Sequence, residues 1–222
     1  MSNPRFLIVS LGNQAPYYDC LHSAGHFALA SLQKLLSPSQ PPFAPERHGG
    51  RSCLTSAGST YTMLQSPTQM NVSGPWLARA WKEALQNYAL KPSELSLVLV
   101  HDDLEEALGR VRMRNWTASH RGHNGVKSVN GSLRPAEFPG SRWSRISIGI
   151  GRPEERDHIS VSDYVLKKMT RHQRDVIDNQ VGPRVLDYLH ELQWGLNVPT
   201  EQRRTVDQRA SKVHFQNNEV SY

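Results

Sequence analysis

The spacing of apolar residues predicts four strands before any other property is considered. Residues 6–9 are apolar and end near Gly12-Asn13, which is typical of a buried strand that enters a loop. Residues 95–100 form a continuous apolar run, which indicates a central strand covered on both faces. Residues 110–114 alternate between arginine and apolar side chains, so we expect a strand with one solvated face. Residues 147–151 predict a further strand that runs into a loop.

Helical spacing of apolar residues appears in three segments. Residues 22–36 carry apolar side chains three and four positions apart. Ser73-Gly74-Pro75 predicts the start of a second helix that extends to Tyr88, with Ser73 as its N-cap and proline in the first turn. A third helix is predicted over residues 170–196, and Gly182-Pro183 should kink or break it.

The segments between these elements predict connections. Residues 37–50 are rich in proline and polar groups, so we expect a surface loop. Leu54 and residues 61–64 predict the two strands of a hairpin around residues 57–59. Residues 198–222 are polar, and we expect a loosely ordered C-terminal tail that follows one domain at residues 1–197.

Strands and helices alternate along the chain, which predicts the α/β class with a single mixed, twisted sheet flanked by helices. In such folds functional residues gather beyond the carboxyl ends of the strands. Asn13 follows the first strand, Asn71 follows the hairpin, and His101-Asp102 follow the central strand. We therefore expect a functional site at that edge of the sheet.

Positive charge is concentrated in one part of the chain. The net charge of the 222 residues is +6. The segment from Arg110 to Arg152 contains nine lysines and arginines and one acidic residue, Glu137. This distribution favours a surface that follows the phosphate groups of a nucleic acid. A solvated strand face is the alternative for Arg110, Arg112 and Arg114.

The two cysteines, Cys20 and Cys53, do not make a disulfide framework, so a reducing compartment is favoured, although their pairing in space stays open. No stretch of the sequence is long and apolar enough to predict a membrane span. Because the first strand begins by Phe6, we expect no signal or transit peptide ahead of it.

Several common kinds of site fit the residues poorly. The spacing of His120 and His123 suits two metal ligands, but no third ligand stands at a suitable distance along the chain. Ser73 lacks the preceding glycine of a nucleophile elbow, and nothing marks Cys20 as an activated thiol. The chain has no glycine-rich dinucleotide motif and no phosphate-loop lysine. We therefore expect neither a metal nor a cofactor.

Several motifs, in order along the chain, resemble the bacterial and organellar peptidyl-tRNA hydrolase family. They are Leu11-Gly12-Asn13, His22-Ser23-Ala24-Gly25, Met70-Asn71-Val72-Ser73-Gly74, His101-Asp102-Asp103-Leu104 and Gly122-His123-Asn124-Gly125. Residues 148–153 and 163–166 also look like the family, and the similarity covers residues 5–196. The resemblance implies the fold of that family and a hydrolase that cuts the ester bond between a peptide and its tRNA.

The resemblance also implies roles for the matching residues. His22 matches the catalytic histidine, and Asp102 matches the carboxylate that orients it. The substrate-binding positions are matched by Asn13, Met70, Asn71, His123 and Asn124, and by Tyr17 or Tyr18. The tyrosine is ambiguous because the loop before His22 is one residue shorter than in the family. The arginines that we expect to hold phosphates of the acceptor stem are Arg110, Arg112, Arg114 and Arg121.

These residue types suit ester hydrolysis by an activated water. The pKa of imidazole is near neutrality, so His22 can take a proton from water. A buried Asp102 that accepts the other ring N–H would fix the tautomer and stabilise the imidazolium. The side-chain amide of Asn71 or Asn124 would donate a hydrogen bond to the developing oxyanion.

The chain departs from the family pattern in four places. The asparagine after the catalytic histidine is Ser23, and the Gly-Asn-Pro-Gly turn reads Gly12-Asn13-Gln14-Ala15. A glycine-rich run is replaced by residues 116–121, and an arginine of the last strand is Ser147. We expect these changes to affect loop geometry and tRNA binding rather than the chemistry.

Two other functions compete with hydrolysis of peptidyl-tRNA. A non-catalytic RNA-binding relative would keep the basic face, but binding alone does not need a histidine–aspartate pair. An esterase or amidase for small N-acylated substrates would not need the basic face. The resemblance implies a monomer that binds the acceptor stem, the 3′ end and the nascent peptide, with no membrane partner, in the cytoplasm or in mitochondria.

Overall fold

The computed structural model describes residues 5–197 of the chain. The chain divides into two compact units, one that ends at Leu186 and one that begins at Asp187. The first unit contains the sheet and every site residue discussed below. Within residues 5–197, no helix combines the length and the apolar character that a membrane span needs. The predicted tail at 198–222 lies outside the described residues.

A seven-stranded sheet forms the centre of the first unit. In chain order the strands are β1 (Arg5–Ser10), β2 (Ala44–His48), β3 (Arg51–Ala57), β4 (Tyr61–Gln65), β5 (Leu95–Asp103), β6 (Val111–Asn115) and β7 (Arg142–Gly149). Across the sheet their order is β2-β3-β4-β1-β5-β7-β6. Strands β4, β1, β5 and β7 are parallel, whereas β2 with β3, β3 with β4, and β6 with β7 pair antiparallel. The predicted α/β class with a mixed sheet is confirmed.

The described residues form six α-helices. They are α1 (Ala24–Leu35), α2 (Ser73–Asn87), α3 (Asn124–Ser132), α4 (His158–Leu166), α5 (Arg171–Val176) and α6 (Gly182–Asn197). On one face, residues of α2 and α3 join a core cluster with Leu7, Val9, Leu97 and Leu99. Because side chains alternate along a strand, Ile8 faces the other side, where α1 packs against β1, β4 and β5.

The whole of β5 is buried, as its apolar run predicts. This strand lies between β1 and β7 near the middle of the sheet. Its last residues are His101, Asp102 and Asp103, which are ionisable and still buried. Because buried ionisable groups are costly without partners, the carboxyl end of β5 is where specific polar contacts are expected.

The prediction of a loop over residues 37–50 is wrong for its second half. Residues 44–48 form β2, which pairs with β3 across a tight turn at Gly49 and Gly50. Both glycines have positive φ angles, 58° and 78°, which a two-residue hairpin turn of this kind requires. Pro45 is tolerated because β2 is the edge strand. The glycine pair was the local signal for this hairpin.

Ser73 is not the N-cap of α2. A 3-10 turn at Met70–Val72 precedes the helix, so Val72 takes the N-cap position and Ser73 is the first helical residue. The Ser73 hydroxyl donates a hydrogen bond to the Gln69 carbonyl and accepts one from the Thr68 hydroxyl, each at 3.2 Å. The helical path therefore begins one turn earlier than the serine–glycine–proline pattern predicts.

The predicted long helix over residues 170–196 is interrupted without being broken. It begins after Thr170, which forms a capping box with Gln173. A π-helical turn at Ile177–Val181 then joins α5 to α6. Because Pro183 has no N–H to donate, the regular hydrogen bonding of the preceding turn must change. The predicted kink at Gly182-Pro183 thus takes the form of a π turn just before it.

Candidate active site

A cleft of about 460 Å³ opens at the carboxyl ends of the parallel strands. Three connections between strands and helices, together with the end of β5, bring the predicted residues to it. The loop after β1 places Asn13 and Tyr17, the turn before α1 places His22, the turn before α2 places Met70 and Asn71, the end of β5 places Asp102, and the start of α3 places His123 and Asn124. The predicted residues from distant parts of the chain therefore meet at the edge of the sheet where the sequence places them.

His22 and Asp102 form a hydrogen-bonded pair at the cleft. The Nδ1 atom of His22 lies 2.9 Å from both carboxylate oxygens of Asp102. The exposed fraction of the side chain is 13% for His22 and 3% for Asp102. An ionised carboxylate can only accept hydrogen bonds. Nδ1 of His22 therefore carries the proton and donates a hydrogen bond to Asp102. The Nε2 atom of His22 is then the ring nitrogen with a free lone pair.

His123 is the second donor to Asp102, and the start of α3 decides its tautomer. Its Nδ1 atom accepts hydrogen bonds from the backbone N–H groups of Gly125 at 3.1 Å and Val126 at 3.3 Å. The proton must therefore lie on Nε2, which is 2.9 Å from an Asp102 oxygen. Since both nitrogens are engaged within the protein, His123 offers a substrate only the surface of its ring.

Burial and charge act in opposite directions on these three groups. Burial would lower the pKa of His22, but the negative charge of Asp102 and the hydrogen bond to it raise this pKa above its ordinary value. Burial would raise the pKa of Asp102, but the two histidines hold it well below its usual range. Burial lowers the pKa of His123 despite the nearby carboxylate. Asp102 therefore stays ionised and His123 neutral, and His22 is the group that exchanges a proton.

His101 belongs to the same group, although the sequence motif alone assigns it no role. Its Nδ1 atom donates a hydrogen bond to the backbone carbonyl of Asp102 at 2.8 Å. Its ring centroid lies 5.1 Å from that of His123, which in turn lies 4.7 Å from that of His22. Burial, aided by His123, lowers the pKa of His101 to about 3, so its ring stays neutral. We call His22, His101, Asp102 and His123 the histidine cluster.

The three predicted asparagines all line the cleft, but they differ in exposure. Asn13 is buried, whereas Asn71 and Asn124 are exposed. Met70 also lines the cleft and is buried. The amide groups of Asn71 and Asn124 are therefore the ones that a bound molecule can reach most readily.

The two tyrosines have different surroundings. Tyr17 lines the cleft and is half exposed. The Tyr18 hydroxyl donates a hydrogen bond to the side chain of Gln65 at 3.0 Å, and its ring packs against His26 and Phe27. Tyr18 is thus a packing residue outside the cleft lining, and Tyr17 occupies the position predicted for a substrate contact.

The four predicted phosphate-binding arginines share carboxylate partners. A carboxylate oxygen of Glu106 lies within 3.8 Å of a guanidinium nitrogen of each of them: Arg110, Arg112, Arg114 and Arg121. Asp103 lies 3.3 Å from both Arg114 and Arg121. Of the four, Arg114 and Arg121 line the cleft. We call these arginines, with Asp103 and Glu106, the arginine cluster.

Arg145 is a buried cation that the sequence analysis did not place in the site. Its side chain is almost fully buried and donates hydrogen bonds to the carbonyls of Asn115 at 3.3 Å, Ala118 at 2.5 Å and Ser119 at 3.3 Å. These residues lead into the segment that carries His123. Burial and the nearby charge of Arg114 lower the pKa of Arg145. Arg145 lies two residues before the strand predicted at 147–151, so the apolar pattern did not mark it.

Helix α4 forms a further part of the cleft wall that the apolar pattern did not predict. His158, Val161 and Val165 line the cleft from this helix. The Asp157 carboxylate caps the helix by accepting hydrogen bonds from the N–H groups of Ile159 and Ser160 at 2.9 and 3.0 Å. The helix has only nine residues, which is too short for a strong periodic signal.

The histidine cluster fits hydrogen bonding better than metal coordination. His22, Asp102 and His123 bring three ligand-type atoms within 4.8 Å of one another. A metal on Nε2 of His123 would force the ring proton onto Nδ1, where two backbone N–H groups already point. His120, the other member of the His-x-x-His spacing, accepts a hydrogen bond from the N–H of Gly122 at 3.1 Å.

The sequence of the chain is similar to that of proteins with a known family. The family profile described as "Peptidyl-tRNA hydrolase" matches residues 7–212. A peptidyl-tRNA hydrolase of Sulfurihydrogenibium sp. is 39% identical over 191 residues, which cover 85% of this chain and 92% of that protein. A probable peptidyl-tRNA hydrolase of Schizosaccharomyces pombe is 36% identical over 140 residues, which cover 62% of this chain and 64% of that protein.

The fold is similar to that of solved structures. The crystal structure of a peptidyl-tRNA hydrolase from Acinetobacter baumannii superposes with a TM-score of 0.62 at 22% sequence identity. The superposition covers 88% of this chain and 95% of that protein. At this identity the superposition supports only the fold. Membership of the family is supported by the profile and by the sequence relatives.

Proposed function

The chain belongs to the peptidyl-tRNA hydrolase family, and from this premise we propose that it hydrolyses the ester bond between a peptide and tRNA with His22 as the general base. The observation that carries the proposal is the hydrogen bond from Nδ1 of His22 to Asp102. It leaves Nε2 as the basic atom of a histidine that lines the cleft. Asp102 is the carboxylate that orients the ring.

In the proposed reaction His22 takes up one proton and later releases it. Nε2 of His22 takes a proton from water as the water oxygen attacks the ester carbonyl carbon. Asp102 stabilises the imidazolium that forms, because its negative charge raises the pKa of His22. The imidazolium then gives its proton to the ribose oxygen as that oxygen leaves. General base catalysis of this kind contributes a factor of about 10²–10⁴ to the rate. Since the imidazole needs no ion for this step, we propose that the enzyme is independent of metals.

We assign substrate contacts to the polar groups of the cleft that remain reachable. The exposed amide of Asn71 or Asn124 is proposed to donate to the oxyanion of the tetrahedral intermediate, which adds a factor of about 10²–10³. Asn13, Tyr17 and Met70 are proposed to bind the peptide main chain and its surroundings. His123 contacts the substrate through its ring face only, because its nitrogens bond to Asp102 and to α3.

We propose that the arginine cluster binds phosphates of the acceptor stem. Arg114 and Arg121 line the cleft, and Arg110 and Arg112 share their partner Glu106. The cluster contains four guanidinium groups and two carboxylates, so positive charge remains for phosphate. Such contacts position a nucleic acid without reading its bases.

The partner of the proposed enzyme is peptidyl-tRNA, bound through its acceptor stem, 3′ end and nascent peptide. From the family resemblance we also propose that the protein acts as a monomer in the cytoplasm, or in mitochondria if the source is eukaryotic. Size-exclusion chromatography with light scattering tests the first point, and a mass twice that of the 25.1 kDa chain would contradict it.

The test is the release of N-acetyl-amino acid from N-acetyl-aminoacyl-tRNA by the wild type, His22→Ala and His172→Ala in the presence of a chelator. His172 is an exposed histidine of α5 and serves as the matched control. We expect turnover that survives chelation, falls by about 10²–10⁴ in His22→Ala and stays unchanged in His172→Ala. Unchanged turnover in His22→Ala would overturn the assignment of the base.

Two results would point to the competing functions. Salt-dependent binding of tRNA without any turnover would favour a non-catalytic RNA-binding protein. Equal turnover of small N-acyl amino acid esters and of N-acetyl-aminoacyl-tRNA would favour a small-molecule esterase.

A further inference from the structure

The loop between β1 and the turn that carries His22 forms hydrogen bonds with Ser23, the residue that precedes α1. This loop carries Asn13 and Tyr17, and it differs from the family turn at Gln14 and Ala15. The hydroxyl of Ser23 accepts a hydrogen bond from the backbone N–H of Asn13 at 2.9 Å. The same hydroxyl donates to the backbone carbonyl of Tyr17 at 3.2 Å. One side chain thus holds the two ends of the segment that carries both residues.

Ser23 is placed to cap α1 but does not. It occupies the N-cap position of the helix, where a serine ordinarily accepts a hydrogen bond from an N–H of the first turn. Its side chain makes no such bond, and it is fully buried. The hydroxyl is used for the loop instead of the helix. In the family pattern this position is an asparagine.

His26 supports the same loop from one helical turn further on. A Cβ atom on Gly12 would lie 2.3–2.7 Å from three atoms of the His26 ring, so the ring lies directly against the loop backbone. Its Nδ1 atom is 2.8 Å from the hydroxyl of Ser10 at the end of β1. The Tyr18 ring stacks on it, with centroids 5.7 Å apart and planes 29° apart. His26 is itself fully buried.

Residues three apart on a helix share a face, so Ser23 and His26 present one surface to the loop. Ser23 also follows His22 directly, and the short turn Leu21–Ser23 therefore carries both the proposed base and the loop support. A displacement of the loop would move Asn13 and Tyr17 relative to His22 without changing the His22–Asp102 pair.

We propose that Ser23 and His26 are positioning residues that set the place of Asn13 and Tyr17 at the cleft. The proposal rests on the proposed function, because Asn13 and Tyr17 are taken as substrate contacts. Neither residue touches the reacting atoms. Loss of the support should therefore raise KM for peptidyl-tRNA while kcat changes little.

The first test compares Ser23→Ala with Ser31→Ala. Ser31 is a buried serine within α1, away from the cleft, and its hydroxyl likewise donates to a backbone carbonyl, that of Asp178 at 2.6 Å. We expect Ser23→Ala to raise KM by about five- to tenfold, as the loss of one buried hydrogen bond implies, with kcat within about twofold. Ser31→Ala should leave both constants unchanged. An unchanged KM in Ser23→Ala would overturn the role of Ser23.

Amide hydrogen exchange at Asn13 gives a readout that does not depend on activity. In the wild type this N–H is bonded to the Ser23 hydroxyl, so it should exchange slowly. We expect faster exchange at Asn13 in Ser23→Ala and no change there in Ser31→Ala. Equal exchange rates at Asn13 in the wild type and in Ser23→Ala would overturn the proposed support.

The role of His26 is tested by a compensating pair of substitutions. Gly12→Ala should raise KM because the added methyl group meets the His26 ring. His26→Ala alone should also raise KM, because the loop loses the ring that it lies against. In the double variant Gly12→Ala/His26→Ala the added methyl group occupies part of the space left by the ring, so KM should lie below that of either single variant. A KM of the double variant equal to or above that of Gly12→Ala would overturn the proposal that the contact between the His26 ring and Gly12 positions the loop.

The outcomes separate this proposal from the proposed function. Wild-type turnover that His22→Ala does not reduce would overturn the function of His22, and the exchange at Asn13 would still decide whether Ser23 holds the loop. Turnover that depends on His22, with unchanged KM in Ser23→Ala, would overturn only the positioning role.

Discussion

The histidine cluster and the arginine cluster meet at the end of β5. They differ in burial and in the groups that they leave available to a bound molecule. The histidine cluster is built on Asp102, and the arginine cluster is built on Asp103. Since side chains alternate along a strand, two neighbouring carboxylates serve two separate sets of partners. The contacts of Asp102 with its histidines are 2.9 Å long, and those of Asp103 with its arginines are 3.3 Å long.

Burial separates the two clusters. The side chains of His22 and His123 are 13% and 6% exposed, and that of Asp102 is 3% exposed. The arginine side chains are 24–54% exposed. Removing one partner of a buried charge pair is costly because the other charge is left buried without compensation, whereas exposed ion pairs contribute little and weaken in salt. Similar distances therefore carry different functional weight.

The two clusters also differ in the hydrogen-bonding atom or the charge that remains without a partner inside the cluster. In the histidine cluster Asp102 receives a hydrogen bond from each of two histidines, and Nε2 of His22 remains available to a substrate. In the arginine cluster positive charge exceeds negative charge, so a polyanion can be attracted without a specific geometry. We therefore expect the first cluster to determine the rate and the second to adjust affinity.

The largest effect is expected from exchanging the two carboxylates for amides. Asp102→Asn should lower kcat by about 10²–10⁴, because an amide no longer holds the proton on Nδ1 of His22 and stabilises no imidazolium. Asp103→Asn should leave kcat within about threefold, since its partners are partly exposed arginines. Steady-state kinetics with N-acetyl-aminoacyl-tRNA measures both. Equal losses would mean that the two clusters do not have separate tasks.

The next effect concerns stability within the histidine cluster. His123→Ala removes the acceptor for two N–H groups of α3 and one donor to a buried carboxylate. We expect the free energy of unfolding to fall by about 2–4 kcal/mol. His120→Ala, in the same segment but with one exposed contact, should change it by less than about 0.5 kcal/mol. Urea denaturation followed by circular dichroism compares them, and similar losses would contradict the assigned tautomer.

The pH dependence tests the charge state of His22. The base works only when neutral, so kcat/KM should fall about tenfold per pH unit below its pKa. Because Asp102 raises the pKa of His22, this decline should begin above the ordinary value of 6.5. In Asp102→Asn the remaining activity should decline at lower pH. If kcat/KM did not change between about pH 5 and 8, protonation of His22 would not control the rate.

The smallest effect is expected in the arginine cluster. Arg112→Gln should raise KM for peptidyl-tRNA by only about two- to threefold and reduce the salt dependence of binding by about one ion. Arg51→Gln is the matched control, because Arg51 is an exposed arginine of β3 near the opposite edge of the sheet. An identical change in both variants would show that net charge, rather than the cluster, attracts tRNA.

The location of the site could be predicted from local patterns, whereas the roles of its residues came from the family resemblance. The apolar runs that predict β1 and β5 also indicate that Asn13 and Asp102 follow them, and parallel strands bring their carboxyl ends together. The residues that were missed lack a periodic signal. Helix α4 is short, and Arg145 lies in β7 ahead of the residues that predicted this strand. The prediction of a loop over residues 37–50 was wrong in part, because proline indicated a loop at a place where an edge strand tolerates proline.

By itself the sequence determined the fold class, the positions of the main strands along the chain and the residue types that meet at the cleft. These follow from hydrophobic periodicity and from motifs read along the chain. Only the tertiary structure decided which tyrosine faces the cleft, that Asp103 serves arginines while Asp102 serves histidines, and which nitrogen of His123 carries the proton. The reason is physical, because tautomer, ionisation and exposure depend on burial and on partners that the fold brings from distant parts of the chain.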